Sequence, residues 1–189
     1  CTCPSMRRSR PRALAFVSNE QSGNISLIDR TVGEVMGVMR VGQNPKGMAY
    51  SSRRNLLFVA NAGSNSVTVL DVLGQTRRAV IELDYGDEPE ALYLSSDDRL
   101  LFSANRGSSS VTIMDAIAFS RRDKVNVGSS PRDILVDPAS GWVYTANSLS
   151  DDVSAFNPSE LTTVRSISVG SFPLSLEINR KDHLLYAAN

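Results

Sequence analysis

Phe58-Val59-Ala60-Asn61 decides the fold, because it is one of five copies of a single phrase. The others are Phe16-Val17-Ser18-Asn19, Phe102-Ser103-Ala104-Asn105, Tyr144-Thr145-Ala146-Asn147 and Tyr186-Ala187-Ala188-Asn189. Their asparagines follow one another at steps of 42, 44, 42 and 42 residues. A period of this length marks a propeller blade or, less often, a helical array. Other positions keep step. A Pro lies 16 residues before each Asn from the second copy on (Pro45, Pro89, Pro131, Pro173), and a Gly lies three before each Pro (Gly42, Gly86, Gly128, Gly170). An acid or its amide follows each Asn by ten (Asp29, Asp71, Asp115, Asn157). The two extra residues of the long unit fall between Asp71 and Gly86, which predicts a surface loop there, since connections tolerate insertion.

Each unit reads as four strands. In the second, Met48-Ala49-Tyr50 is a short apolar strand, and Ser51–Asn55 is an exposed turn. Leu56–Ala60 is apolar without a break, as suits a strand covered on both faces. Ser66–Asp71 alternates polar and apolar, which predicts a half-buried strand. Ala79–Leu83, preceded by Arg77 and Arg78, mixes charge with apolar residues as an edge strand does. No segment sustains a helical apolar stripe over three turns, and Gly, Ser, Asn and Pro punctuate the chain every ten residues or so. The pattern therefore predicts an all-β fold, a β-propeller of four-stranded antiparallel blades, with Leu56–Ala60, Leu100–Ala104 and Trp142–Ala146 buried. A tail over 1–12 precedes the repeats of 13–189.

The units resemble the YVTN-type propeller repeat, carried by Phe58-Val59-Ala60-Asn61, Ser64-Asn65-Ser66-Val67-Thr68-Val69-Leu70-Asp71 and Val41-Gly42-Gln43-Asn44-Pro45. Asp84-Tyr85-Gly86-Asp87-Glu88-Pro89 departs from the last of these patterns. The resemblance implies larger rings, commonly of seven blades. About four blades are present, opening on one second strand (Ala13–Ser18) and closing on another (Leu184–Ala188). Two readings stand: a fragment of a larger ring, which is preferred, or a split propeller completed by another chain. Either leaves open strand edges through which the chain would self-associate.

Composition limits function more than it reveals it. Lys and Arg together number 20, as do Asp and Glu, so net charge demands neither nucleic acid nor an acidic membrane. The run Arg7–Arg12 reads as a solvated tail. Both cysteines, Cys1 and Cys3, stand at the start, too few for a zinc site. Cys1 ahead of a polar tether looks like the lipidated residue of a mature bacterial lipoprotein, with an extracytoplasmic location. The alternative is that residue 1 is where a fragment begins.

Candidate chemistry is sparse. His183, the single histidine, falls in a turn, with no triad partner and no companion for a metal. The repeated Asp29, Asp71 and Asp115 read as turn formers that accept backbone N–H groups, a blade apart from one another. Asn19, Asn61, Asn105 and Asn147 are expected to pin the turn leaving the second strand. Asp97-Asp98 and Asp151-Asp152 lack calcium-loop spacing, and no phosphate loop or haem attachment motif occurs. No catalytic residue, metal site or cofactor is therefore assigned. Shared positions hold the fold, so binding is expected at positions that differ between units near the channel mouth: Lys46, Glu90, Arg106, Arg132 and Asp133. The expected partner is a protein or a small polar ligand at one propeller face. The expected role is a non-catalytic binding or surface module. The alternative implied by the resemblance is a lactonase-like or haem-containing propeller enzyme with its catalytic groups in other blades.

Overall fold

The computed structural model describes residues 13–161, 164–179, 181–182 and 184–189. Cys1, the basic run and His183 lie outside them. A sheet of three strands, β1 (Leu14–Asn19), β2 (Asn24–Asp29) and β3 (Glu34–Arg40), comes first. Three four-stranded sheets follow, each antiparallel and in sequence order. They are β4 (Pro45–Ser51), β5 (Leu56–Asn61), β6 (Ser66–Asp71) and β7 (Thr76–Glu82); then β8 (Pro89–Leu94), β9 (Leu100–Asn105), β10 (Ser110–Asp115) and β11 (Ser120–Asn126); then β12 (Pro131–Val136), β13 (Val143–Asn147), β14 (Asp152–Phe156) and β15 (Val164–Ser168). Last come β16 (Ser175–Asn179) and β17 (Leu184–Ala188), which pair with each other and not with β1–β3. These are the blades of a β-propeller.

Packing between blades explains the burial pattern. Successive side chains of a strand point to opposite faces, and β5 serves a different core with each. Leu56, Phe58 and Ala60 join Leu92, Leu101 and Met114 of the next blade. Leu57 and Val59 join Ile25, Leu27 and Met39 of the previous one. Two further cores repeat the arrangement, around Phe102, Ile113, Val136 and Phe156 and around Ala146, Val153 and Leu176. Each large side chain so placed contributes roughly 1.5–3 kcal/mol. The same stacking corrects two expectations. Ser66 and Thr68 are buried like their apolar neighbours, because a blade lies on each face of β6. Trp142 and Tyr144, at the end of the third four-stranded sheet, are only half-buried, and the Arg165 guanidinium lies 5.0 Å from the Trp142 ring centre. The fourth strands are open to solvent as expected, with β7 and β11 exposed at most positions.

Antiparallel order puts the connections at two ends. The β4–β5, β6–β7, β8–β9 and β10–β11 turns share a lower face. The β5–β6 and β9–β10 hairpins and the loops leading into β4, β8 and β12 share the upper face. On the lower face the turn after β4 is not merely exposed. Arg54 reaches the next blade, donating from Nη1 to the Ala116 carbonyl (2.6 Å) and from Nη2 to the Asp98 carbonyl (2.8 Å). The buried Ser51 Oγ donates to Asp98 Oδ2 (2.8 Å), and the Arg54 guanidinium lies 5.8 Å from the Phe58 ring centre. Arg54→Ala is expected to cost about 2 kcal/mol, since hydrogen bonds from a charged group exceed neutral ones. A urea-denaturation midpoint unchanged from wild type would show that the staple carries nothing.

Candidate functional site

The repeated polar residues are committed to the scaffold. Asp29 accepts from the Thr31 N–H (2.8 Å), Asp71 from the Gly74 N–H (2.9 Å) and Asn157 from the Ser159 N–H (3.0 Å). Asp115 accepts from both Ile117 and Ala118, and the Ala118 and Ile117 N–H groups hold its carboxyl below the usual range. The repeated asparagines do more than pin a turn. Asn61, Asn105 and Asn147 are fully buried. Each amide bonds the neighbouring strand: Asn61 Nδ2 donates to Thr68 Oγ1 (2.9 Å), Asn105 Nδ2 to Thr112 Oγ1 (2.8 Å), and Asn147 Nδ2 to Ser154 Oγ (2.9 Å). These bonds satisfy the buried hydroxyls of the third strands. The repeated Gly explains itself at the same place: a Cβ on Gly42 would stand 2.7 Å from Asn61 Cβ, and one on Gly128 2.5 Å from Asn147 Nδ2.

A second repeated device builds the upper face. The residue before each repeated Pro is left-handed, at Asn44, Glu88, Ser130 and Phe172. The strand-end hairpin docks on this turn: the Ala62, Arg106 and Ser148 N–H groups donate to the carbonyls of Asn44, Glu88 and Ser130 (3.0, 3.1 and 3.1 Å). The residue after the Asn is thereby held beside the residue before the Pro. In two of these units the pair is unremarkable. In the other it is Arg106 on Glu88, with Nη2 and Oε2 2.5 Å apart.

Around that pair the structure gathers three of the five expected binding residues. Arg106 Nε is 3.6 Å from Glu90 Oε2, and Arg132 Nη1 of the next blade is 3.5 Å from Glu90 Oε1. One carboxylate, largely buried, thus lies between two guanidinium groups, and the Nε atoms of both Arg106 and Arg132 are buried without a hydrogen bond. Lys46 stands apart, paired with Glu20 in the turn between β1 and β2 (3.0 Å). Asp133 faces the following blade, where Oδ2 accepts from the Leu176 N–H (2.8 Å) and Ser175 Oγ (3.2 Å).

Sequence reasoning missed Glu88, Asp84, Asp87 and Lys124. The signal for the three acids was the departure of residues 84–89 from the repeat; Lys124 in β11 had none. Leu83 takes the place that Val41, Val127 and Val169 hold elsewhere, its N–H donating to Asn65 O as theirs do to Gly23, Ser109 and Asp151. The two extra residues therefore bulge out after Leu83, leaving Tyr85 99% exposed. The buried Asp87 folds back beneath them. It accepts from Ser108 Oγ, from the Asp84 N–H and from Lys124 Nζ (2.6, 3.0 and 2.6 Å). Arg121 and Lys124 bond Asp84 and hold its carboxyl below the usual range. Burial pulls the Lys124 ammonium down, but the bonds to Asp87 and Asp84 outweigh it and its pKa is raised. Among the described residues, no group of three His, Cys, Asp or Glu side chains has metal-binding geometry.

A family model described as lactonase, 7-bladed beta-propeller, matches residues 82–160, the span that contains this cluster. No curated protein matches the chain in sequence. Solved structures share the fold at low identity. A protein from Lactobacillus plantarum superposes with a TM-score of 0.81 at 16% identity, over 96% of this chain and 62% of that one. Hydrazine synthase of Kuenenia stuttgartiensis gives 0.79 at 20%, over 90% and 50%. Virginiamycin B lyase from Staphylococcus aureus gives 0.78 at 10%, over 94% and 60%. The chain spans roughly half to three-fifths of these structures and shares with them the propeller architecture.

Proposed function

We propose that the upper face is a binding face for a polar partner, and that the chain acts as a non-catalytic propeller module. The observation that supports this most is the Glu88–Arg106–Glu90–Arg132 cluster. Its charges sit at positions the repeat leaves free to vary, they join two blades, and they neutralise one another. Paired charge of this kind orients a polar partner and sets its register. It offers no nucleophile beside a base, the arrangement covalent catalysis requires. A second reading rests on the lactonase match, which spans the same residues: the cluster would then hold a lactone substrate.

Two measurements separate these readings. A thermal-shift screen against sugar acids, sugar phosphates and short peptides is expected to yield a stabilising ligand, and Arg106→Ala/Arg132→Ala is expected to abolish that shift. The variant itself should stay folded but melt below wild type, because it leaves the largely buried Glu90 carboxylate without its two cations. Lactone hydrolysis, followed by acid release, is expected to stay at the uncatalysed rate. Turnover lost in the same variant would establish the second reading in place of the first.

A further inference from the structure

Arg54 shows what a junction between blades can hold. Its guanidinium lies against the Phe58 ring and donates to two carbonyls of the next blade, those of Asp98 and Ala116. The following junction on the same lower face, between β8–β11 and β12–β15, keeps the seat but has no arginine for it. Phe102 holds the third place of β9 as Phe58 does of β5, and Pro158 follows Asn157 as Ala116 follows Asp115. Pro138 and Gly141 flank Ser140, the counterpart of Asp98. At Arg54's own place, two residues before the strand, stands Asp98, whose carboxylate turns to the preceding blade and accepts from Ser51 Oγ. The cleft between these residues is an open cavity of about 210 Å3. Tyr93, Leu100, Phe102 and Pro158 wall it together with Asp97 and Asp137, and among the described residues no Lys or Arg lines it. Arg99 lies outside the lining, and Arg122 stands with Asp123 in an adjoining hollow. Asp97 and Asp137 accept N–H groups of their own turns, from Arg99 and Ala139, and these neutral bonds leave the carboxylate charge in place.

We propose that this cleft receives the guanidinium of an arginine side chain from a partner peptide, in the pose that Arg54 takes one junction earlier. The volume is below the roughly 300–1,000 Å3 of sites for whole small molecules, and it suits a single side chain. A planar guanidinium stacks on an aromatic ring while its edge donates to carbonyls, a combination that a compact ammonium does not offer. Asp97 and Asp137 attract the cation and give an uncharged ligand of the same shape nothing. A main chain at the rim delivers the arginine stem at the Arg54 junction, and a peptide laid on the lower face would do the same here. The cleft opens on the face opposite the Glu88–Arg106–Glu90–Arg132 cluster, so its occupancy is separate from the upper-face reading.

The test is a proton–nitrogen NMR titration of the chain with the blocked peptide acetyl-Gly-Arg-Gly-amide, with ethylguanidinium, and with ethylurea, the uncharged isostere. The peptide and ethylguanidinium are expected to shift the amides of Leu100, Phe102 and Gly141, and ethylurea to bind about fivefold more weakly or worse. Asp97→Asn/Asp137→Asn keeps acceptors for both turns and removes the charge, and it is expected to weaken the peptide about fivefold. Asp98→Arg gives the junction a staple of its own and is expected to abolish the shifts. The double Asn variant decides the matter if Asp98→Arg does not fold. No shift at these amides overturns the proposal, as does equal binding of ethylurea, or peptide affinity unchanged in the double Asn variant or in a folded Asp98→Arg variant. Binding of ethylguanidinium without the peptide would overturn the peptide as occupant and leave a small free cation in its place.

Discussion

Gly47→Val is expected to destabilise the chain by about 3 kcal/mol, at the upper end for overpacked sites. The reason lies in how closely β4 meets the next blade. A Cβ on Gly47 would stand 2.7 Å from the Glu90 carbonyl oxygen, 2.8 Å from Ala91 Cα and 3.1 Å from the Leu92 nitrogen. All three are backbone atoms of β8, which is hydrogen-bonded to β9 and packed between β4 and β12, so no rotamer change relieves the clash. The blades must separate, and separation opens the core that Phe58 shares with Leu92 and Leu101. Urea denaturation measures the loss. A wild-type midpoint would mean that β4 and β8 do not approach each other this closely.

Asn105→Ala is expected to cost about 2–4 kcal/mol, because it removes three partners from one buried place. Its Nδ2 donates to Ser110 Oγ (3.1 Å) and Thr112 Oγ1 (2.8 Å), and its Oδ1 accepts from Ser103 Oγ (2.9 Å). All four residues are buried, so water does not replace the lost bonds. Asn19 supplies the control. It makes two comparable bonds, to Asn24 Oδ1 and Ser26 Oγ, but in a half-exposed strand. Asn19→Ala should therefore cost less than half as much in thermal unfolding. Equal losses at the two sites would show that burial is not what makes the amide matter.

The Asn, Gly and Pro positions were legible in the sequence because each has a local partner that recurs. Asn61 needs Gly42 to make room, and the Pro ends the turn on which the next hairpin docks. The repeat thus announces both the number of strands and the place of each blade. What stayed hidden depends on the neighbouring blade. Alternation along Ser66–Asp71 describes a sheet with one wet face, but both faces of β6 are covered, and the Asn61 amide makes the buried Ser66 and Thr68 tolerable. Arg54 looked like an ordinary turn residue because its acceptors, Asp98 and Ala116, lie a blade away. The candidate site was read in outline. Variation between units picked out Glu90, Arg106 and Arg132, which the fold brings together, but it also picked Lys46 and Asp133, which serve other junctions. Only coordinates separate residues that vary because they bind from residues that vary because each junction is cut differently.

The bulge after Leu83 bears on symmetry. A ring of near-identical wedges offers a visitor several equivalent seats, and an occupant that recognises only the shared features has no preferred rotational setting. One wedge here carries a flag, the projecting side chain of Tyr85, on a bulge whose preceding residue, Asp84, is tied to Asp87 and Lys124. Among the described blades it breaks the degeneracy at a single azimuth, next to the Glu88–Arg106 pair. Whatever settles on this face meets a dial with one marked hour, so two residues of extra chain convert a periodic surface into one with an orientation.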